Sequence, residues 1–277
     1  TILLVYGYFV GHHEFTEIFM AVVGLSVAAI PEGLPAVLTI TLAVGVQAMA
    51  RRNAIVRRLP AIETIGSVSV ICTDKTGTLT RNEMMVSSVL THQHLFTLQG
   101  IGYEPQGTIL LENTEVTPAE YTVLEELARV ATLCNDAALR DHDGVWAVEG
   151  DPMEGALLAF ASKIGIEIRK EQATWTRTDV IPFDAKHRFM PTLNHDHEHR
   201  AFVFIKGAPE QILAMCKTQS AADGNVEPLN QAYWQEKADS IAALGQRVLA
   251  FAVKPVKSEH TVLERTDIES TLTLLGM

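Results

Sequence analysis

Between Phe15 and Ala50 the chain carries only two ionisable residues, Glu17 and Glu32, and its apolar run IFMAVVGLSVAAIPEGLPAVLTITLAVGVQAMA is interrupted only by PEGLP. A stretch of that composition reads as membrane. It is too long for one straight crossing, because at 1.5 Å per residue it would run to roughly 50 Å against a hydrocarbon core of about 30 Å. Neither half suffices alone, so the expectation is one transmembrane helix over 15–51 with a proline-broken centre, projecting from the bilayer at one end. The length and the lack of a cleavage pattern argue against a signal peptide. Residues 1–14 read as the end of another membrane helix followed by a short extracytoplasmic loop, GHHEFTE. Arg51, Arg52, Arg57 and Arg58 come directly after the span. The positive-inside rule then gives an integral membrane protein with its large domain in the cytoplasm.

The break has chemical consequences. Pro31 has no amide hydrogen and its ring clashes with the carbonyl four residues back, which is expected to free the Val27 carbonyl; Pro35 acts likewise on Pro31, and Gly33 loosens the turn. Unpartnered oxygens and the Glu32 carboxylate are costly in hydrocarbon. A cation would satisfy both, since the carbonyls of Val27, Ala28 and Ile30 with Glu32 form a partial cage of hard oxygen donors. The competing reading is a proline kink whose glutamate is protonated or paired to a neighbouring helix.

Elsewhere the chain is that of a folded protein: 277 residues, 47% hydrophobic, with a formal charge of −11. No basic cluster repeats along it, which argues against a nucleic-acid partner. Cys72, Cys134 and Cys216 lie far apart with no CxxC pair. That usage fits a reducing compartment and thiols in or near a core.

CTDKTGTLTRNE, from Cys72 to Glu83, puts a single acid at the end of an apolar run. Val68, Val70 and Ile71 with Ser69 and Thr73 read as a buried strand that ends at Asp74. A carboxylate on a strand tip, followed by Lys75, Thr76, Gly77 and Thr78, supplies a nucleophile, a cation, hydroxyls and a backbone able to wrap a phosphoryl group. This is the material of aspartyl-phosphate chemistry.

The full DKTGTLT signature at 74–80 resembles the P-type cation-transporting ATPases, and AAIPEGLPAV with ARRNAIVRRLPAIETIGSVSVICTDKTGTLT resembles their calcium-pump branch. The resemblance implies ATP-driven cation transport with Ca2+ as the favoured ion, Asp74 as the residue phosphorylated by ATP, and Mg2+ held at Asp74 and the Thr76 carbonyl. Lys75 belongs to the same motif, and Thr78 is implied to bind phosphate. Haloacid-dehalogenase-type phosphatases resemble the pumps in the nucleophile but carry a second Asp two residues on, where this chain has Thr76. The phosphoenzyme is therefore expected to persist, as a pump requires.

Residues 52–82 are expected to be the first part of a haloacid-dehalogenase-like α/β phosphorylation domain, and 83–277 an α+β nucleotide-binding domain with an antiparallel sheet. YTVLEELARVATLCNDAAL, MEGALLAFASKIG and QAYWQEKADSIAALG have helical spacing; AFVFIK and RVLAFAV read as strands. In FIKGAPE, Lys206 ends a strand, Gly207 opens a turn and Pro209 suits a first helical position before EQILAMC. Resemblance to the pumps' KGAPE motif puts Lys206 and Gly207 at the floor of the ATP pocket. It likewise implies that Phe183 of IPFDAKHRFM stacks on adenine with Arg188 near the phosphates or ring, that Glu154 of EGDPMEGALL bonds the adenine amino group, and that Arg247 of GQRVLAFA contacts phosphate. In the segment after Phe183 this chain departs from the commoner basic pattern, with Lys186 and His187 in altered order. A lysine at a strand end is also a common solvated residue, and Phe183 also suits core packing. The histidines of NHDHEHR, at 195, 197 and 199, fall where a polar hairpin loop is expected, with adventitious metal the alternative.

The TGES, TGD and GDGxND motifs of the pump family do not occur in these residues. A fragment of a longer pump is the resulting expectation, with the bilayer and the remainder of the same pump as partners. A sodium or other-cation pump, a phosphatase and a non-catalytic ATP-binding module are the alternatives.

Overall fold

Two prolines and a glycine in five residues cut the apolar run into two helices. The computed structural model describes residues 2–10, 14–31, 33–58, 60–221, 224–269 and 271–277. Its first unit, Thr1–Asp74, holds α1 (Ile2–Phe9), α2 (Phe15–Ala28), α3 (Leu34–Ala50) and α4 (Pro60–Ile65). The single interrupted helix expected over 15–51 is corrected to α2 and α3, of 14 and 17 residues. Among the described residues no helix is long and apolar enough to cross a membrane. For Val27 and Pro31 the expectation of a free carbonyl is also corrected. Ile30 N–H donates to the Val27 carbonyl at 3.1 Å and Leu34 N–H to the Pro31 carbonyl at 3.0 Å. The chain tightens to i→i+3 bonds at the end of α2 and the start of α3, which satisfies those oxygens locally. Glu32 and the loop residues Gly11, His12 and His13 lie outside the described residues.

The strand expected before Asp74 does not form. Residues 67–73 have no strand pairing, and Val70 and Ile71 are 75% and 82% exposed. A strand exists by pairing with neighbours, and no strand among the described residues pairs with this segment.

The second unit, Lys75–Met277, is built on local patterns that match their elements. An antiparallel meander comes first: β1 (Ser88–Leu90), β2 (Leu95–Leu98), β3 (Ile109–Leu111) and β4 (Thr114–Glu115). Then follow α5 (Thr122–Leu133), the hairpin of β5 (Ala138–His142) and β6 (Val145–Glu149), α6 (Pro152–Lys163), α7 (Ile168–Thr174), β7 (Thr176–Val180), β8 (Phe189–His195) and β9 (Ala201–Gly207). The rest is α8 (Pro209–Met215), β10 (Cys216–Ser220), β11 (Val226–Pro228), α9 (Gln231–Ala243), β12 (Ala250–Val256), α10 (Arg265–Ile268) and β13 (Leu272–Gly276). The helical reading of YTVLEELARVATLCNDAAL runs too far. Helix α5 stops at Leu133, where Asn135 Oδ1 takes the Ala137 N–H at 2.9 Å and turns the chain into β5.

Seven strands form the central sheet in the order β11-β10-β13-β12-β9-β8-β7. Its pairs are antiparallel except β10 with β13, which is parallel. Alternation along β9 shows how the sheet divides the core. Val203 and Ile205 join a cluster with Ile212 and Leu213 of α8 and Trp234 and Ala238 of α9. Phe204 joins the other, with Leu124 and Leu127 of α5 and Leu157 and Phe160 of α6. Helices thus cover both faces. The fold is mixed α/β with largely antiparallel sheets.

Candidate functional site

Lys206 is two residues beyond Phe204 on β9, so it points to the α5 and α6 face, and only 4% of its surface is exposed. A buried ammonium needs a partner. Glu154 Oε1 supplies it by a direct ion pair with Lys206 Nζ, while Glu154 Oε2 accepts the Asp136 N–H at 3.0 Å. EGDPMEG builds the end of α6 that presents this carboxylate. Asp151 caps the helix, accepting from Met153 N–H at 2.8 Å and Glu154 N–H at 3.3 Å, with Pro152 in the first turn. The negative charge of Glu154 at a helix N-terminus is favoured by the helix dipole.

Gly207, opposite both Phe189 and Ala250, is required by a close approach. A Cβ there would lie 2.6 Å from the Arg188 carbonyl oxygen and 2.7 Å from Phe189 Cβ. The same pairings gather the other expected residues. The connection from β7 to β8 carries Phe183 and Arg188, and the approach to β12 carries Arg247; both meet the sheet at the end where Lys206 and Gly207 lie. Phe183 is 59% exposed. Arg188 sits at φ 58°, its N–H bonded to the Asp184 carbonyl at 2.7 Å, and its guanidinium is paired with Glu210 at 2.6 Å. Arg247 is exposed and borders a cavity of about 180 Å³ whose other walls include Met84, Met153, Leu157, Phe160 and Leu249. Of the expected nucleotide residues, that cavity touches Arg247 alone.

Beneath the pair, Cys134 Sγ donates to the Met190 carbonyl at 3.0 Å. Burial pushes its thiol up to about 11, against the opposing pull of Lys206 and Arg177. Three residues that the sequence reading did not single out, Asn135, Asp136 and Arg177, form the surround of Glu154. The Asn-Asp pair after the last helical position signals a turn, but nothing local tells that its amide reaches a carboxylate 18 residues on.

The DKTGTLT motif spans the division of the chain between the two units. Asp74 closes the first, exposed, with Thr73 Oγ1 donating to its carbonyl at 3.1 Å. Lys75 opens the second, and its carbonyl accepts from Leu79 N–H at 3.0 Å and Thr80 N–H at 3.1 Å. Thr76 and Thr78 are exposed on that turn, which Gly77 permits by adopting φ 72°. In NHDHEHR, His195 ends β8, and 196–200 form a turn in which Asp196 accepts from the N–H groups of Glu198 and Arg200.

The second unit is an α+β domain with a buried Lys–Glu pair at one end of its central sheet. Comparison identifies the domain. The family profile described as "P-type ATPase, cytoplasmic domain N" matches residues 123–277, more than half of the chain, and the chain belongs to the P-type ATPases. It is 42% identical over 266 residues to cation-transporting ATPase pma1 of Synechocystis, covering 94% of this chain and 29% of that protein. It is 35% identical over 283 residues to a calcium-transporting ATPase of Bacillus subtilis, covering 100% of this chain and 31% of the relative. The human calcium-transporting ATPase type 2C member 1 is also 35% identical, over 289 residues and with 31% of its length covered. The chain therefore spans about three tenths of the length of these relatives.

Proposed function

We propose that this chain is the part of a cation pump that binds ATP, carries the phosphorylated aspartate and contributes an ion-binding break. The observation that carries the reading is the meeting of Glu154 and Lys206 at the sheet end shared by Phe183, Gly207 and Arg247. The chemistry is complementary to ATP. Phe183 offers a face for the base, Glu154 an acceptor for its amino group and the Arg247 guanidinium positive charge, while Lys206 lies at the floor of the pocket, paired with Glu154. Arg188 contributes less, because Glu210 already holds its charge.

Asp74 is the nucleophile in this reading, its carboxylate attacking the terminal phosphorus of ATP while the bond to the departing ADP oxygen breaks. Lys75 and the Thr76 and Thr78 hydroxyls lie next in the chain to hold the phosphoryl oxygens. The Asp74 carboxylate and Thr76 carbonyl are hard oxygen donors of the kind Mg2+ takes, and the ion would supply charge neutralisation for the transferred group. Residues 15–51 contribute the membrane portion, with Ala28, Ile30 and Glu32 as ligands of the transported cation; Val27 stays in the set through its second lone pair. Calcium is the assigned ion, supported by relatives named as calcium-transporting ATPases. The arginines after α3 support a cytoplasmic position for the large domain.

The test is phosphorylation of the full-length protein in membranes. Labelled ATP with calcium should leave acid-stable phosphate that disappears in Asp74→Asn. Label that survives the substitution would refute the nucleophile, and label that responds to sodium but not calcium would reassign the ion.

A further inference from the structure

Glu154 does not hold its own position. Its Oε2 rests on the Asp136 N–H, and that amide belongs to a turn fixed from two sides. Arg177 on β7 grips the turn from outside, donating to the Leu133 carbonyl at 2.8 Å, the Asn135 carbonyl at 2.6 Å and Asp136 Oδ1 at 2.5 Å. From inside, Asn135, only 3% exposed, donates its side-chain amide to the Ala131 carbonyl at 3.0 Å and the Glu154 carbonyl at 2.9 Å, while its Oδ1 takes the Ala137 N–H. One guanidinium and one carboxamide thus lock the end of α5 to the first turn of α6.

This matters because a carboxylate beside a buried ammonium has two low-energy arrangements. It can turn both oxygens to the lysine, or keep one on a second donor so that a lone pair stays aimed outward. Asp136 N–H enforces the second. We propose that Arg177 and Asn135 are positioning residues for base selectivity: through the Asp136 amide they hold the acceptor-only Glu154 carboxylate in one orientation, which suits the 6-amino group of adenine and rejects the 6-oxo group of guanine. The inference rests on Glu154 facing the base, as proposed above. Selectivity of this kind arises because a keto oxygen set against a carboxylate leaves two acceptors unpaired.

Titration calorimetry of the 277-residue protein with ATP and with GTP, on wild type, Arg177→Gln and Arg177→Lys, tests it, with the thermal midpoint measured alongside. Wild type should prefer ATP. Arg177→Gln should cut the ATP:GTP affinity ratio about tenfold, the size of one charge-assisted hydrogen bond, and Arg177→Lys should restore part of it. An unchanged ratio in a folded Arg177→Gln protein, or equal losses for both nucleotides, overturns the proposal. If Arg177→Gln does not fold, Asp136→Asn decides. It keeps the amide but weakens the grip of Arg177, so a lowered ratio supports the proposal and an unchanged one overturns it. A wild type that binds neither nucleotide refutes the nucleotide reading itself.

Discussion

Phe183 keeps most of its ring in water, and a stacked base would remove that apolar face from solvent. Base–aromatic stacking is worth about 1–3 kcal/mol per base in nucleic-acid complexes, which serves as a guide here. Arg188 is half exposed, screened by salt and committed to Glu210, so little of its charge is left for a ligand. Phe183→Ala should therefore weaken ATP binding by roughly one to two orders of magnitude, and Arg188→Ala by much less. Calorimetry at physiological salt reads the difference; equal losses would remove Phe183 as the stacking residue. The single residues named from the sequence are those whose motif is local. Phe183, Lys206 and Arg247 each stand in a short recognisable string, whereas the ion pair of Lys206 with Glu154 joins positions 52 apart and shows only when the strand and helix are packed.

Strand β7 is an edge of the central sheet, and an edge must be covered or otherwise blunted. Between Arg177 and Asp179 its register shifts, and Asp179 then bonds the segment that follows β12: Oδ2 takes the Leu263 N–H at 2.8 Å and Oδ1 the Val180 N–H, also at 2.8 Å. Those two amides, Leu263 first, hold the Asp179 carboxyl below the usual carboxylate range. The sign follows from linkage. A depressed folded pKa stabilises the fold at pH values above the unfolded carboxyl, near 3.9, and that contribution is lost as pH falls through the folded value. Asp179→Asn leaves one of the two amides without its acceptor, so it should cost about 1 kcal/mol at neutral pH and flatten the acid limb of stability against pH. Denaturant titrations from pH 3 to 7 check both; coincident wild-type and mutant curves would show that the tie contributes nothing. The elements themselves separate by the range of their causes. Helices α6, α8 and α9 and strands β9 and β12 follow from caps, periodicity and alternation within a dozen residues, and they were legible. The end of α5 was not, since its apolar spacing continues while Asn135 bends the backbone away. Nor was the fate of 67–73, because an apolar run specifies a strand only when other strands pair with it.

That segment bears on what the chain can do by itself. The apolar residues just before Asp74 are in water, and its carboxylate closes a stretch with no strand pairing, while the domain that would bind ATP is fully elaborated with two cores and a seven-stranded sheet. Phosphoryl transfer depends on near-attack positioning and preset charge, and misplacement by about 1 Å can cost on the order of a hundredfold in rate. Binding ATP has no such requirement at Asp74. The relatives are about three times as long, and the pairing partners of 67–73 are proposed to come from the remainder of a pump of that length. The two activities should therefore separate. The 277-residue chain is expected to bind ATP, with binding weakened by Phe183→Ala, yet to gain no acid-stable phosphate on incubation with labelled ATP, magnesium and calcium. The same residues within the full-length protein should be labelled at Asp74. Label on the 277-residue chain that vanishes in Asp74→Asn would mean that these residues hold the nucleophile well enough alone, and the exposed state of 67–73 would then not describe the phosphorylated form.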